Sequence, residues 1–298
     1  MQLKGELKHM YNITCESTVD LPESYLLQRN CKALHYSYFL GMTECVDHMN
    51  NTPEVLAQFY KDLEEFKPTT SQLSAEAYKT FFAENLKNGD LLHLAFGSGM
   101  SNSVNNAFIA AEEINKTSAH KVTVIDTTCS CIGYGLFVDT ALDMRDKGAT
   151  LQEIATWAEA NKFNVHHQFF TTTLSYFRRS GRVSWAAAFV GTLLRMCPIM
   201  HLNHSGKIVA YSKAMSVSKA MQKTLDEIAA HIQNGSDYDG KLWISHSNCI
   251  ETAEKVKEKL AEAYPKADIR LFDIGPIIAC HCGPGTVAIF FWGDTRVE

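Results

Sequence analysis

A single histidine near the end of the chain lies in the segment with the strongest potential for chemistry. His281 stands between Cys280 and Cys282 in a short apolar connection, directly before the turn Gly283-Pro284-Gly285. Glycine accepts backbone angles that other residues avoid and proline fixes its own, so this turn presses the backbone close to whatever the histidine faces. We therefore expect His281 to be either a structural plug in the core or a polar anchor for a ligand.

Three hydroxyl-rich loops in the first half of the chain could supply partners for such an anchor. They are Thr69-Thr70-Ser71-Gln72, Ser98-Gly99-Met100-Ser101-Asn102-Ser103 and Asp126-Thr127-Thr128-Cys129-Ser130. Each follows a predicted strand or opens a predicted helix, and ligands of open α/β sheets bind beyond the carboxyl ends of the strands. Hydroxyl groups together with free N–H groups at helix starts form an anion site. Ordinary helix capping uses the same residue types, so both interpretations stay open.

Two other chemistries are open at the same residues. Ser98 or Ser101 could act as a nucleophile with His281 as its base, which would make the protein an acyl hydrolase. The Cys280-His281-Cys282 run could belong to a thiol or zinc site, although its C-x-C spacing is shorter than is usual for zinc, and buried, inert thiols are the simpler expectation. The sequence contains neither a G-x-G-x-x-G or Walker nucleotide loop nor a G-x-S-x-G nucleophile elbow.

Three arginines within five residues form the other distinctive segment. Arg178, Arg179 and Arg182 lie beside the apolar run Val183–Leu194. They are either solvated charges at the end of a helix or a docking patch for an acidic or phosphate-bearing partner.

Composition restricts the class of protein. The 298 residues are 46% hydrophobic and 20% charged, with a formal net charge of −5, which is ordinary for a globular protein and gives no basic footprint for nucleic acid. The run Val183–Leu194 is too short to span a bilayer, and Met1–Met10 does not resemble a signal peptide. Nine cysteines argue against a disulfide framework. We expect a cytoplasmic protein with at most transient contact with a membrane surface.

Alternating strand and helix patterns predict the elements that must position these residues. Strands of the first half are predicted at Tyr11–Thr14, Asp90–Phe96 and Lys121–Ile125. Helices separate them, which is typical of parallel βαβ units. The second half is predicted to contain a long helix over Leu174–Leu194 and a hairpin around His204-Ser205-Gly206. We therefore predict two α/β domains. Residues 1–162 would hold a mostly parallel sheet, flanking helices and the hydroxyl-rich loops, and residues 163–298 a mixed sheet, helices, His281 and the arginines.

Six segments, in order, resemble the signatures of the DegV family. They are Glu16-Ser17-Thr18, Thr70-Ser71-Gln72, Ser98-Gly99-Met100-Ser101, Val124-Ile125-Asp126-Thr127, Tyr176-Phe177-Arg178-Arg179-Ser180-Gly181-Arg182-Val183 and His281-Cys282-Gly283-Pro284-Gly285-Thr286. Each is weak alone, whereas six in the right order are specific, and the resemblance extends from about Asn12 to Trp292. The chain departs from the family pattern at Leu73, where proline is usual, and at Met215, near which family members tend to carry an arginine.

The resemblance implies a function, because characterised DegV proteins are similar to the fatty-acid-binding subunits of bacterial fatty acid kinase. It implies two α/β domains with a long-chain fatty acid in a tunnel, walled in part by Ala186–Leu194. It also implies no catalytic residue, no metal and no cofactor besides the lipid. A separate kinase subunit would be the partner, docking at the arginines, and would phosphorylate the bound acyl carboxylate.

The resemblance also implies which side chains hold the carboxylate. Thr70 and Ser71 would contribute from one loop, Ser98 or Ser101 from the next, and His281 from the second half of the chain. Because Met215 stands near the place where family members tend to carry an arginine, no arginine at that position is assigned to the carboxylate site.

Overall fold

The computed structural model describes residues 11–185 and 196–297. Within them the strands are β1 (Tyr11–Glu16), β2 (Cys31–Leu34), β3 (Ser37–Leu40), β4 (Thr43–Val46), β5 (Pro68–Thr70), β6 (Asp90–Ala95), β7 (Val122–Asp126), β8 (Val165–Thr171), β9 (Val183–Trp185), β10 (Cys197–Leu202), β11 (Ile208–Ala214), β12 (Lys241–His246), β13 (Asp268–Asp273) and β14 (Thr286–Trp292). The α-helices are α1 (Glu23–Gln28), α2 (Pro53–Glu65), α3 (Ala75–Asn85), α4 (Ser103–Thr117), α5 (Cys131–Asp146), α6 (Leu151–Asn161), α7 (Leu174–Ser180), α8 (Val217–His231), α9 (Ile250–Ala263) and α10 (Pro276–Cys282).

The first half contains the predicted parallel sheet, in the order β2-β1-β6-β7. Successive side chains of a strand point to opposite faces, so the two faces have different neighbours. Leu91 packs with Tyr78 of α3 and Ala107 of α4, whereas Leu92 joins the larger cluster that contains Ile132 of α5. Burial on both faces explains the continuous apolar run of β6.

The second half contains the predicted mixed sheet, in the order β13-β12-β14-β8-β10-β11-β9. The predicted hairpin is present, with β10 and β11 antiparallel. Helices α8 and α9 cover one face, and α5 packs against β8, β12 and β14 on the other.

Helix α5 therefore lies between the two large sheets. A helix with apolar and small residues on all sides is typical of a buried position. A Cβ at Gly133 would lie 2.5 Å from the His167 ring and from the Phe290 ring, and one at Gly135 would lie 2.5 Å from the Val19 carbonyl. Both glycines thus permit close packing of α5, on the second sheet at Gly133 and on the turn that follows β1 at Gly135.

Two local predictions were wrong. The helix predicted over Leu174–Leu194 ends at Ser180, because Gly181 takes a left-handed conformation with φ 67°. Val183–Trp185 instead form β9, parallel to β11. The remaining part of that prediction, residues 186–194, lies outside the described residues. His281 lies in the short helix α10, not in an irregular connection.

A small antiparallel sheet, β4-β3-β5, has no counterpart in the predicted elements. The boundary predicted after residue 162 falls between α6 and β8, while a single apolar cluster joins Ile13 of the first half to Phe290 of the second. The division into two domains stays a prediction. In the part of the chain that the structure describes, no helix combines the length and the apolar character needed to cross a bilayer.

Candidate ligand-binding site

Two of the predicted site residues meet across the fold. Thr70 is the last residue of β5, held opposite Tyr38 in the small sheet, and His281 lies in the last turn of α10. The Thr70 Oγ1 atom is 2.9 Å from the His281 Nε2 atom, although 211 residues separate them in sequence. The small sheet and α10 thus position the loop residue and the histidine as one unit.

A cavity, here called the outer chamber, opens beside this pair. Ser71, Ser101 and Arg182 line it together with Thr70 and His281. Its other lining residues are Thr18, Tyr36, Gln72, Phe96, Met100, Ser130, Phe177, Ser180, Ile208, Ile277, Ile278 and Cys282. Centres of water-sized molecules can occupy about 80 Å³ of it.

Ser98, the alternative to Ser101, does not line the outer chamber. Its side chain is exposed, and its backbone N–H donates to Asp126 Oδ1 at 3.1 Å. The turn that begins at Gly97 directs Ser98 away from the outer chamber. The loop comes back to the chamber at Ser101, whose backbone N–H donates to the Gly97 carbonyl at 3.3 Å. The structure therefore selects Ser101 as the serine of this loop that faces the cavity.

His281 is uncharged at neutral pH. Burial lowers the pKa of its imidazole to about 4, and the nearby Arg182 and Arg179 contribute to this decrease. A neutral imidazole has one N–H donor and one acceptor nitrogen, and a threonine hydroxyl can take either role toward Nε2. The pair can therefore offer a donor to an anion without burying a cation.

Two further hydroxyl groups in the outer chamber form no hydrogen bond of normal geometry among the described residues. They are Thr18 Oγ1 and the Tyr36 phenol. Tyr36 is only 3% exposed, and burial together with the nearby Glu16 carboxylate raises the pKa of its phenol, although the Ser103, Ser101 and Tyr78 hydroxyls are near enough to oppose that increase. Buried polar groups are normally paired, so two unpaired hydroxyls in one cavity indicate a place for a polar ligand group. Thr18 belongs to a segment that the sequence singles out, whereas nothing in the sequence points to Tyr36.

A fully buried carboxylate lies behind the outer chamber. Glu16 accepts hydrogen bonds from the Tyr78 phenol and, at 2.8 Å, from the Phe96 backbone N–H. The His93 Nε2 atom lies 3.3 Å from Glu16 Oε1, the oxygen that the phenol also contacts. These contacts hold the strand ends of β1 and β6 together beneath the ligand loops.

A second cavity, the inner chamber, shares Ser130, Phe177, Ile208, Ile278 and Cys282 with the outer one. Its further lining is largely apolar and comprises Cys131, His167, Phe169, Leu202, Ile274, Thr286, Ala288 and Phe290. About 60 Å³ of it is open to the centres of water-sized molecules. The two chambers adjoin at these shared residues, the outer one with its polar groups at His281 and the inner one against the second sheet. The predicted wall Ala186–Leu194 lies outside the described residues.

The contacts among residues 11–185 and 196–297 give no support to the hydrolase and thiol interpretations. The Ser101 hydroxyl is 3.0 Å from the Ser103 hydroxyl, and His281 is bonded to Thr70 instead of to a serine. Cys280 and Cys282 are buried free thiols. Burial raises the pKa of both, that of Cys282 to about 12, so neither is present as the reactive thiolate.

The three arginines do not form one uniform patch. Arg178 and Arg179 are exposed on α7, and the Arg179 guanidinium lies over the Tyr176 ring at 4.5 Å. Arg182 is also exposed, but it lines the outer chamber and donates to the Ser180 carbonyl at 2.5 Å. Met215 is 67% exposed at the end of β11 and lines neither chamber.

Comparison with known proteins identifies relatives along nearly the whole chain. A family model described as "Uncharacterised protein, DegV family" matches residues 10–294. A DegV domain-containing protein of Clostridium perfringens is 34% identical over 289 residues, which cover 95% of this chain and 98% of the relative.

Solved structures have the same fold. A DegV family protein of Thermus thermophilus, described by its fatty acid binding, superposes with a TM-score of 0.84 at 26% identity and covers 95% of this chain and 99% of its own. The fatty acid kinase (Fak) B3 protein of Streptococcus pneumoniae, solved with linoleic acid, gives a TM-score of 0.80 at 17% identity over 96% of this chain and 100% of its own. At that identity the likeness concerns the fold.

Proposed function

The chain belongs to the DegV family, and from that membership we propose that it binds a long-chain fatty acid, with the carboxylate in the outer chamber and the acyl chain in the inner chamber. The observation that carries the proposal is the Thr70–His281 hydrogen bond in the outer chamber, beside an adjoining and mainly apolar inner chamber. Ser71 and Ser101 line the same end and complete the proposed donor set. The fatty acid binding of the Thermus thermophilus relative supports this choice of ligand.

The physical chemistry of a fatty acid suits this arrangement. An ionised carboxylate cannot be buried without donors, and hydroxyl groups with a neutral imidazole can supply them. Each buried CH₂ group contributes about 0.8 kcal/mol, so a long chain can provide most of the affinity. Because the chambers are narrow beside such a chain, binding is expected to move their side chains apart.

We further propose that the protein presents the carboxylate to a separate kinase subunit and has no catalytic cycle of its own. In that reaction a carboxylate oxygen attacks the γ-phosphorus of ATP, and an acyl phosphate and ADP are formed. The exposed Arg178 and Arg179 stand on α7, which contacts α10, and are therefore close to the proposed carboxylate site. The Streptococcus pneumoniae protein of the same fold is named as the B3 protein of a fatty acid kinase, and that name motivates the idea of such a partner. Free cysteines throughout the described residues favour the cytoplasm as the compartment, with at most transient contact with a membrane surface.

Native mass spectrometry with oleic acid tests the binding proposal. We expect one added acyl mass on the wild-type protein, and an affinity at least about tenfold lower for Thr70→Val and His281→Ala, since each loses a hydrogen bond to a charged group. Ser98→Ala is the matched control, because Ser98 belongs to the same set of hydroxyl loops but lies outside the chamber, and it should bind like wild type. A wild-type protein that takes up no fatty acid would overturn the proposal.

The docking proposal needs a separate measurement. With the cognate kinase and ATP, Arg178→Glu and Arg179→Glu should slow acyl-phosphate formation while leaving lipid affinity unchanged. Arg182→Glu should weaken both, because Arg182 lines the outer chamber. Normal acyl-phosphate formation in the Arg178→Glu and Arg179→Glu proteins would contradict a docking role.

A further inference from the structure

A cluster of nitrogen and oxygen atoms lies on the face of the second sheet that is turned away from the chambers. His166 and His167 are neighbours on β8 and point to opposite faces. His167 lines the inner chamber, whereas the His166 ring stacks against Phe291 and His231 with centroid distances of 5.0 Å. His231 is the last residue of α8, and Asp294 follows β14 by two residues.

The potential ligand atoms of these three side chains converge. His166 Nε2 is 3.0 Å from Asp294 Oδ1, and His231 Nδ1 is 3.0 Å from the same oxygen. The three atoms all lie within 4.8 Å of one another. A tetrahedral zinc ion, with ligand distances of about 2.0–2.1 Å, holds its ligand atoms about 3.3 Å apart. The two nitrogen–oxygen distances of 3.0 Å are close to this value. For an ion to bind all three groups, the two imidazole nitrogens, which lie within 4.8 Å of each other, would have to move closer together, and His166 Nε2 would have to release its 2.9 Å contact with the Asp294 backbone carbonyl.

The surroundings have the features of a metal site. The other nitrogen of His231, Nε2, lies 3.6 Å from Glu227 Oε2, one helical turn earlier. At this distance the two groups form an ion pair and not a hydrogen bond. A small closing movement would let the carboxylate orient a metal-binding histidine through its second nitrogen, as carboxylates commonly do. A Cβ at Gly293 would lie 2.9 Å from His166 Nε2, so glycine keeps the position next to the cluster free.

Access is also provided. The His166 side chain is 6% exposed and sits on a central strand, which fixes one ligand firmly, while the Asp294 side chain is 60% exposed. An ion could therefore enter from solvent and retain water at its remaining position.

We propose that His166, His231 and Asp294 bind a divalent first-row transition metal ion, with Glu227 as the residue that positions His231. Two imidazoles and one carboxylate are a ligand set that zinc and its neighbours in the series accept. The ion would join the end of α8 to β8 and to the segment after β14, and its role would be structural. The proposal is independent of the proposed lipid function, because the chambers lie on the other face of the sheet.

Calorimetric titration of Zn²⁺ into the full-length, reduced, chelator-treated protein tests this site. We expect one equivalent to bind, and binding to weaken at least about tenfold in His231→Ala and in Asp294→Ala. Glu227→Gln should weaken binding about tenfold, as is usual for a residue that orients a ligand. His120→Ala is the matched control and should bind zinc like wild type. His120 Nδ1 lies 3.6 Å from Asp90 Oδ1 in an exposed pair, and no third ligand group joins that pair among the described residues.

The absorption spectrum of bound Co²⁺ distinguishes ligation by the histidines from ligation by cysteine. The stoichiometry of binding distinguishes a metal site from a cluster that is held by hydrogen bonds alone. Co²⁺ bound at the site should show visible ligand-field bands without a thiolate charge-transfer band, whereas binding through cysteine would show that band and overturn the proposal. Circular dichroism and oleic acid uptake should be unchanged in His231→Ala. Absence of stoichiometric binding to the wild-type protein would show that the cluster is held by hydrogen bonds alone, and equal binding by wild type and His231→Ala would also refute the assignment.

Discussion

The Thr70–His281 pair shows how burial determines the chemistry that a histidine can perform. The imidazole loses water contact and faces two arginines, so its charged form is disfavoured and its pKa falls to about 4. At neutral pH it is a hydrogen-bonding group and not a counter-ion. An anionic ligand would change this balance, because a carboxylate beside the ring favours the protonated form.

His281 should make the stability of the ligand-free protein depend on pH. Its folded pKa of about 4 lies below the ordinary value of 6.5, so the unfolded chain binds the proton more strongly between these values. Stability from this residue is therefore present above pH 6.5 and is lost as the pH falls toward 4. From pH 7 to pH 5 the wild-type protein should lose about 1–2 kcal/mol more than His281→Gln, measured by urea unfolding. Parallel pH profiles of the two proteins would contradict the shift.

The unpaired Tyr36 hydroxyl should separate ligand binding from stability. If it donates to the ligand, Tyr36→Phe should lower fatty acid affinity about tenfold or more, since hydrogen bonds to charged groups contribute about 1.5–3 kcal/mol. The unfolding midpoint of the ligand-free protein should change little, because the Tyr36 hydroxyl forms no hydrogen bond of normal geometry that the substitution would remove. Tyr60→Phe is a close control, as the Tyr60 hydroxyl is also buried and unpaired but does not line the chambers. Equal lipid affinity for wild type and Tyr36→Phe would exclude the contact.

At the scale of elements, long segments with clear periodicity could be predicted and short ones could not. Helix α2 begins at Pro53 after the capping Thr52, and a capping hydroxyl followed by proline is a typical sequence signal for a helix start. The strands of the small sheet have three or four residues each and are only partly buried, so they lack an apolar pattern. Helix α10 begins with Pro276, and proline at the first helical position is a sequence signal for a helix start. The glycine-rich turn directly after the helix made an irregular connection the simpler prediction.

The β10–β11 hairpin should depend on one glycine of the opposite half. A Cβ at Gly99 would lie 2.3 Å from the Gly206 carbonyl oxygen at the hairpin tip, and backbone on both sides leaves no flexible group to yield. Gly99→Ala should therefore lower the free energy of unfolding by more than about 2 kcal/mol through this clash. Gly148→Ala is the opposite case, because Gly148 has φ 94° with nothing within 4 Å of an added Cβ, so its cost of about 1–2 kcal/mol comes from backbone strain alone. Similar losses in the two variants, measured by urea unfolding, would show that the hairpin tip can move aside.

At the scale of the whole molecule, the sequence could predict candidate residues but not the convergence of all of them. Thr70, Ser101 and His281 carry motifs that can be recognised locally, and the structure brings them to one chamber. Tyr36 reaches the same chamber only through the tertiary fold, and Ser98 could be separated from Ser101 only by the path of the loop. Their roles toward a ligand stay predictions.

The two halves of the chain should unfold together and respond together to ligand. Asp139 of the shared helix α5 pairs with Arg29 of the first half at 3.0 Å and with Lys241 of the second at 2.6 Å, within a core that spans both. Far-UV circular dichroism and tryptophan fluorescence should therefore report one coincident urea transition. Oleic acid at about 100 times its dissociation constant should stabilise the protein by about 2.7 kcal/mol and move that transition as a whole, and His281→Ala should reduce the shift. Two separated transitions, of which the lipid moves only one, would instead show independent domains and a ligand held within one of them.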